Sequence, residues 1–337
     1  MNGRTKTGRL TVFILTIPLI LFAVIFRPVP LMAQQISIPD WENPLLTTFN
    51  TIKPHSTYIP YDSEIKAINN DPALSADYKL LNGRWNFCLS ENYTKVPQGF
   101  YIPEFDASKW SLIDVPSTWE VQGYSYPIYT NSAYEFCPEN PQPPHVPYDY
   151  NPVGAYITRF LSPEGFKGKN VFIHFGAVKS FFYIWLNGKY IGFSKDSKTP
   201  AEFDLTPYMV QGENTLALEV FRWSDGSYLE CQDMWRMSGI NRDVYLYARP
   251  GIYIRDFFAR GDLKDNYTNG NLVLDVLFND LESAKAKKQS LRISLFESDN
   301  THKQVFSEVA SLSNIQGKDS LRFEKIVSQA KKWTAEL

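Results

Sequence analysis

Residues 222–243 place Asp225, Glu230, Asp233, Arg236, Arg242 and Asp243 among Trp223, Tyr228, Met234, Trp235 and Met237. Carboxylates and guanidiniums set beside large apolar side chains need partners, because an isolated charge withdrawn from water is costly. Two arrangements meet that need. The stretch is either a crossover whose ions pair internally or a platform that presents one carboxylate to a ligand, and residue types alone leave the two balanced. Glu230 and Asp233 are the nearest carboxyl pair for acid–base work. Nothing in their spacing fixes a separation, and no apolar pocket tunes one of them as an acid, so they do not read as a catalytic dyad. No catalytic residue is assigned on this chain.

A second irregular stretch, residues 115–152, is rich in Pro, Tyr and Asn. Its prolines exclude a central strand, and its aromatic residues argue for packing rather than disorder. Tyr129, Asn131, Tyr134 and Tyr148 could offer rings and an amide to a sugar, although on residue types alone a structural loop is the stronger reading.

The elements that must hold these loops read as short strands. Trp85, Phe87 and Leu89 alternate onto one face, as do Val171, Ile173 and Phe175, and Phe182, Ile184 and Leu186. Asn187-Gly188 before Lys189 is a hairpin signal. Residues 215–220 and 244–247 complete the set. Helical pieces are expected only around residues 63–69 and 207–210. After Arg249-Pro250-Gly251 a second strand series begins, at 252–254, 272–278, 291–296 and 321–326. The expected fold is all-β: a jelly-roll sandwich over 81–249, preceded by an extended segment over 34–80 and followed by a second sandwich over 250–337. The charged piece at 282–288 is expected to be a solvated turn or edge.

Arg4, Lys6 and Arg9 precede an apolar run from 10 to 26, and Leu31-Met32-Ala33 ends in a small residue. This pattern predicts an export signal over 1–33, cleaved after Ala33, with an uncleaved membrane anchor as the runner-up. Either places the remainder in the periplasm or outside the cell. Hydrophobic residues at 44% suffice for a sizeable core, and a net charge of −2 supplies no basic face for nucleic acid. Cys88, Cys137 and Cys231 are too few and too irregular for a disulfide framework or a metal cluster, and free thiols are expected.

The run of 222–244 resembles the large bacterial β-galactosidases of glycoside hydrolase family 2. Trp41-Glu42-Asn43-Pro44, Leu81-Asn82-Gly83-Arg84-Trp85, Val115-Pro116-Ser117-Thr118-Trp119, Pro127-Ile128-Tyr129-Thr130-Asn131 and Glu202-Phe203-Asp204-Leu205 agree in order, so the resemblance extends from Trp41 to the last residue. It implies a jelly-roll sugar-binding domain and then an immunoglobulin-like sandwich. It also implies hydrolysis of terminal β-galactosides with retention, by an acid/base and a nucleophile about 5–5.5 Å apart. The resemblance puts both glutamates, with a magnesium site, in a barrel outside this sequence. Lys332-Trp333-Thr334-Ala335-Glu336 resembles a passage inside the second domain, so that domain is expected to be truncated. Asp233 matches an aspartate that ligates sodium and touches galactose, and Asn131 matches an asparagine that contacts galactose. Cys231 stands where relatives carry an acid. Trp235, Arg236 and Asp243 are expected to be scaffold, with Arg236 and Arg242 paired to acids such as Asp225 or Asp243. The resulting expectation is a substrate-positioning part of a β-galactosidase, inactive alone, with a β-galactoside or galactose as ligand. Its partner would be a separately encoded barrel, and its oligomeric state stays open. The alternative is a stand-alone galactoside-binding jelly-roll module.

Overall fold

The computed structural model describes residues 38–131, 134–281, 288–297, 302–314 and 319–335. The expected export signal over 1–33, and most of the charged piece at 282–288, lie outside the described residues. Along the chain come β1 (Thr48–Phe49), α1 (Glu64–Asn69), β2 (Tyr78–Leu80), β3 (Gly83–Ser90), β4 (Ser111–Val115), β5 (Ser117–Thr118) and β6 (Ile128–Thr130). There follow β7 (Val153–Leu161), β8 (Asn170–Phe175), β9 (Val178–Lys179), β10 (Phe181–Leu186), β11 (Lys189–Lys195), β12 (Ala201–Asp204) and β13 (Glu213–Phe221). The loop read above as a platform or crossover holds α2 (Ser227–Glu230), β14 (Met234–Arg236) and β15 (Gly239–Ile240), and β16 (Val244–Arg249) closes the series. Beyond it lie β17 (Ile254–Lys264), β18 (Asn269–Phe278), β19 (Ser290–Phe296), β20 (Gln304–Ser311) and β21 (Ser320–Val327).

The chain is all-β with two short α-helices and a few single 3-10 turns among the described residues. A sheet ordered β1-β11-β10-β13-β7-β3-β4 packs on one ordered β12-β8-β16-β2. Between them lies the main core, with Trp85, Phe87, Trp119, Tyr156, Phe175 and Phe203 among its largest side chains. Each such side chain stabilises the fold by about 1.5–3 kcal/mol relative to exposure. The alternation seen in sequence is obeyed: Phe182, Ile184 and Leu186 enter this core. The intervening Phe181, Tyr183 and Trp185 are not exposed either, because Trp41 stacks on Phe221 at 4.7 Å and Tyr101 on Trp185 at 5.0 Å. β10 is therefore apolar throughout, as a strand covered on both faces must be. Asn187 (φ 52°) and Gly188 (φ 78°) form the hairpin turn, two consecutive positive-φ residues that match the twist of the flanking strands.

Of the two helical pieces expected, 64–69 forms, capped by Asn70 in a left-handed conformation. Residues 207–210 do not. Tyr208 N and Met209 N both return to Leu205 O, a turn that contains Pro207. Beyond β16, a β17-β18-β21 sheet and a β19-β20 pair enclose a smaller core of Val276, Phe278, Leu281 and Leu312.

Candidate functional site

Strands β6 and β14 form a two-stranded antiparallel ribbon, with Ile128 opposite Arg236, Tyr129 opposite Trp235 and Thr130 opposite Met234. Asn131 and Asp233 are the next residues beyond that register, at the same end of the ribbon. The two loops singled out in sequence thus meet, and they bring the two predicted ligand residues together. Both side chains are exposed. Tyr129 OH donates to Asp233 Oδ1 at 2.5 Å, which fixes the carboxylate and raises the phenol pKa. The Tyr129 ring lies 5.5 Å from that of Trp235. Trp235 is 55% exposed, so the scaffold role expected for it is overturned: it belongs to the outer face. Periodicity could not reveal this, because a three-residue strand in a long loop has no pattern to read.

Behind the ribbon the charges are sealed. Arg236 and Glu135 are each 2% exposed, with Arg236 Nε 3.5 Å from Glu135 Oε2. Arg236 Nη2 donates to Thr130 O at 3.0 Å, tying the guanidinium to the partner strand. Glu135 accepts from Trp223 Nε1 at 2.9 Å and from Cys231 Sγ at 3.3 Å. Burial first, and the Glu135 charge second, push the Cys231 thiol up to about 12, so it acts as an inward hydrogen-bond donor. Among the described residues Arg236 Nε and Nη1 find no hydrogen-bond acceptor, so the pair with Glu135 is held by charge rather than by a fork of bonds. Lys179 is packed by the same cluster, and burial lowers its ammonium pKa against the pull of Glu135.

Two further ion pairs brace the loop. Asp225 lies 2.8 Å from Lys195 Nζ, which also donates to Asn43 O at 2.8 Å. Glu120 Oε1 lies 3.7 Å from Arg222 Nη1, and its Oε2 accepts from Ser238 N at 2.9 Å. The expected pairing of Arg236 and Arg242 with Asp225 or Asp243 is therefore overturned. Asp243 accepts from Asn82 Nδ2 at 2.8 Å, and Arg242 Nη1 reaches Lys198 O at 3.4 Å. The true partners come from elsewhere in the chain, out of reach of any local spacing argument.

The remaining expectations sort cleanly. Glu230 accepts from Ser197 N at 2.7 Å and from the Ser197 hydroxyl, so it is a structural bond and no catalytic partner for Asp233. Tyr134 packs on Phe136 and Tyr228, and Tyr148 donates to the buried Glu42 at 2.5 Å. Those two tyrosines are loop staples. Cys88, Cys137 and Cys231 are free and half-buried. The ribbon can accept from sugar hydroxyls through Asp233, donate or accept through Asn131, and present ring faces to C–H groups. Among the described residues no group of three or more His, Cys, Asp or Glu side chains gathers for a metal. From this set, Asp233 offers a cation one hard carboxylate oxygen.

Residues 78–250 match the sugar-binding domain of the glycosyl hydrolases family 2. The chain belongs to that family. It is 40% identical over 300 residues to the β-galactosidase of Priestia megaterium, an overlap of 88% of this chain and 29% of that one. With the β-galactosidase of Vibrio cholerae it shares 41% identity over 258 residues, 77% of this chain and 24% of that one. The chain thus spans less than a third of the length of either relative. Among solved structures it is similar to a Bifidobacterium dentium β-glucuronidase complexed with coumarin-3-O-glucuronide, with a TM-score of 0.56 and 19% identity over 76% of this chain and 42% of that one. A β-glycosidase from Bacteroides vulgatus gives a TM-score of 0.55 at 18% identity, over 77% of this chain and 30% of that one. These two likenesses establish the fold alone.

Proposed function

We propose that this chain is the substrate-positioning part of a retaining β-galactosidase, and that Asp233 and Asn131 meet the galactosyl group. The observation that carries the reading is the ribbon end, where an exposed carboxylate oriented by Tyr129 stands beside an exposed amide and an exposed ring pair. Asp233 would contribute one oxygen ligand to a sodium ion that also touches the sugar, a role suited to a hard donor. The bond-cleaving glutamates and a magnesium site are assigned to a catalytic barrel that completes the pocket. That barrel belongs either to the same polypeptide or to a separately encoded partner. The jelly-roll domain is taken as 81–249 and the immunoglobulin-like domain as 250–337, with 34–80 as an extended lead-in. Residues 1–33 would direct export to the periplasm or beyond. No helix among the described residues is long and apolar enough to cross a membrane.

Titration of the chain with galactose and lactose, in sodium and in potassium buffer, tests the reading. Sodium-dependent binding that disappears in Asp233→Asn supports it, and binding unaffected by that change overturns it. Saturable binding by this chain that needs no sodium, survives in Asp233→Asn and is lost in Trp235→Ala would favour the stand-alone galactoside-binding module, to which the exposed rings of Tyr129 and Trp235 are suited. Turnover of a chromogenic β-galactoside by the purified chain would overturn the assignment of the catalytic groups to a barrel.

A further inference from the structure

Residues 51–58 cross the joint between the two sandwiches and bond to both. On the first, Thr51 bridges Phe203, and Ile52 N donates to Glu202 O at 2.8 Å. On the second, Ser56 N donates to Asp256 Oδ1 at 2.8 Å, Ser56 Oγ to Phe257 O at 2.7 Å, and Tyr58 OH to Ile254 O. Arg249, at the end of β16, fills the box made by Tyr58, Tyr247 and Tyr253, at 4.4, 4.7 and 5.0 Å from their ring centres. One ring comes from the crossing segment, one from the first sandwich and one from the connection to the second.

His55 sits in the middle of that segment with both ring nitrogens engaged. Nε2 lies 2.7 Å from Glu202 Oε2, and Nδ1 lies 2.8 Å from Ser56 O. Both oxygens are acceptors. The carbonyl is so by nature, and Glu202 is so because it is ionised. Burial alone would raise the Glu202 pKa, but donors from His174 (2.6 Å), His55 and Tyr247 (2.5 Å) outweigh it and hold the carboxyl at about 2. A neutral imidazole carries one N–H and can satisfy only one of two acceptors, whereas the imidazolium satisfies both. The other groups facing this point are the Arg249 guanidinium, which opposes a charge on His55, the Asp256 carboxylate, which favours one, and the Tyr58 ring at 6.4 Å. The bond to Glu202 is the largest influence, and it raises the His55 pKa above its ordinary 6.5, against burial and Arg249.

We propose that residues 51–58 form a proton-operated clasp across the joint between the sandwiches, closed when His55 is an imidazolium and released when it loses a proton. Release follows from the geometry. Once the ring is neutral, a nitrogen lone pair faces either the Glu202 carboxylate or the Ser56 carbonyl, and one contact must open. The Ser56 side of that choice is wired directly to β17 through Asp256 and Phe257. Because the folded-state pKa is raised, the stabilisation is complete below the unfolded value of 6.5 and is lost as pH rises through the folded value.

The test uses the full chain between about pH 5 and 8. The His55 ring resonances are titrated by NMR, and hydrogen exchange of the peptide spanning 50–58 is followed after normalisation for the intrinsic pH dependence of exchange. His55 is expected to titrate above 6.5, and protection of the peptide is expected to fall with the same midpoint. His55→Gln should abolish that step while leaving protection of β7 and β13 unchanged. Titration at or below 6.5 in the unaltered chain overturns the proposal whether or not the variant folds. So does a flat exchange profile in the unaltered chain, or a step that survives in His55→Gln, which would assign it to a group other than His55.

Discussion

The two faces of the loop at 222–243 are built on opposite principles. Its inner face holds Arg236 against Glu135, Arg222 against Glu120 and Asp225 against Lys195, all withdrawn from water. Its outer face holds Asp233, Met234 and Trp235 in the open, with Tyr129 across the ribbon. Sequence offered a choice between internally paired crossover and ligand platform, and the molecule shows the paired crossover with an exposed carboxylate on its outer side. The difference teaches what the buried charges are for. A short ribbon has few hydrogen bonds of its own, and a guanidinium anchored to Thr130 O and Glu135 fixes where its tip points. A carboxylate held in place before a ligand arrives loses less freedom on binding.

Four experiments would break or sharpen this contrast. Glu135→Leu should be the most damaging, at about 3–5 kcal/mol, because it strands the buried Arg236 charge. Urea denaturation would read it as a shifted midpoint at constant slope, and a shift near zero would end the claim that the inner face is structural. Next comes the acid response of Glu202, whose folded pKa of about 2 lies below its ordinary 4.5. Its stabilisation is present above 4.5 and lost as pH falls through about 2, an amount on the order of 3 kcal/mol. In Glu202→Gln that part of the acid arm of a stability–pH curve should be missing. Gly192→Ala follows, because a Cβ there would sit 2.1 Å from Phe49 O and push β1 off β11. The segment carrying β1 also supplies Trp41 O to Asp225 N and Asn43 O to Lys195, so a cost of about 1–3 kcal/mol should come with loosened backing of the loop. Limited proteolysis within 40–50 would detect it. Smallest for stability is Asp233→Asn, expected within about 0.5 kcal/mol because the group is exposed and, among the described residues, bonded to an exposed tyrosine. Unchanged melting with loss of galactose binding would place function and stability on separate faces.

How much of this was legible follows from distance along the chain. The strands were readable because alternation is local: Trp85 and Phe87, or Phe182, Ile184 and Leu186, declare a face within a few residues. The Asn187-Gly188 turn declared itself through backbone sterics. Asp233 and Asn131 were singled out through resemblance, and β6–β14 pairing sets them at one ribbon end. What failed was pairing. Glu135 lies about a hundred residues from Arg236, and neither side chain names its partner. Asp225 sat beside two plausible arginines and chose Lys195. Trp235 was missed because a bulky aromatic is usually buried, and only the ribbon's position shows it exposed.

The strand order of the smaller sheet sets a timetable for folding. β16 lies between β8 and β2, and the contact that seats it, from Val244 N to Asn82 Oδ1, joins residues 162 positions apart. During synthesis, at roughly 5–20 residues per second, β2 waits many seconds for β16, its sheet neighbour among the described residues. Closure over so long a loop is slow, and it leaves the edge of β8 open in the interval. The first sandwich thus cannot close until Arg249 has been added, and a nascent chain released before β16 emerges would carry one raw edge ready to pair with a stranger.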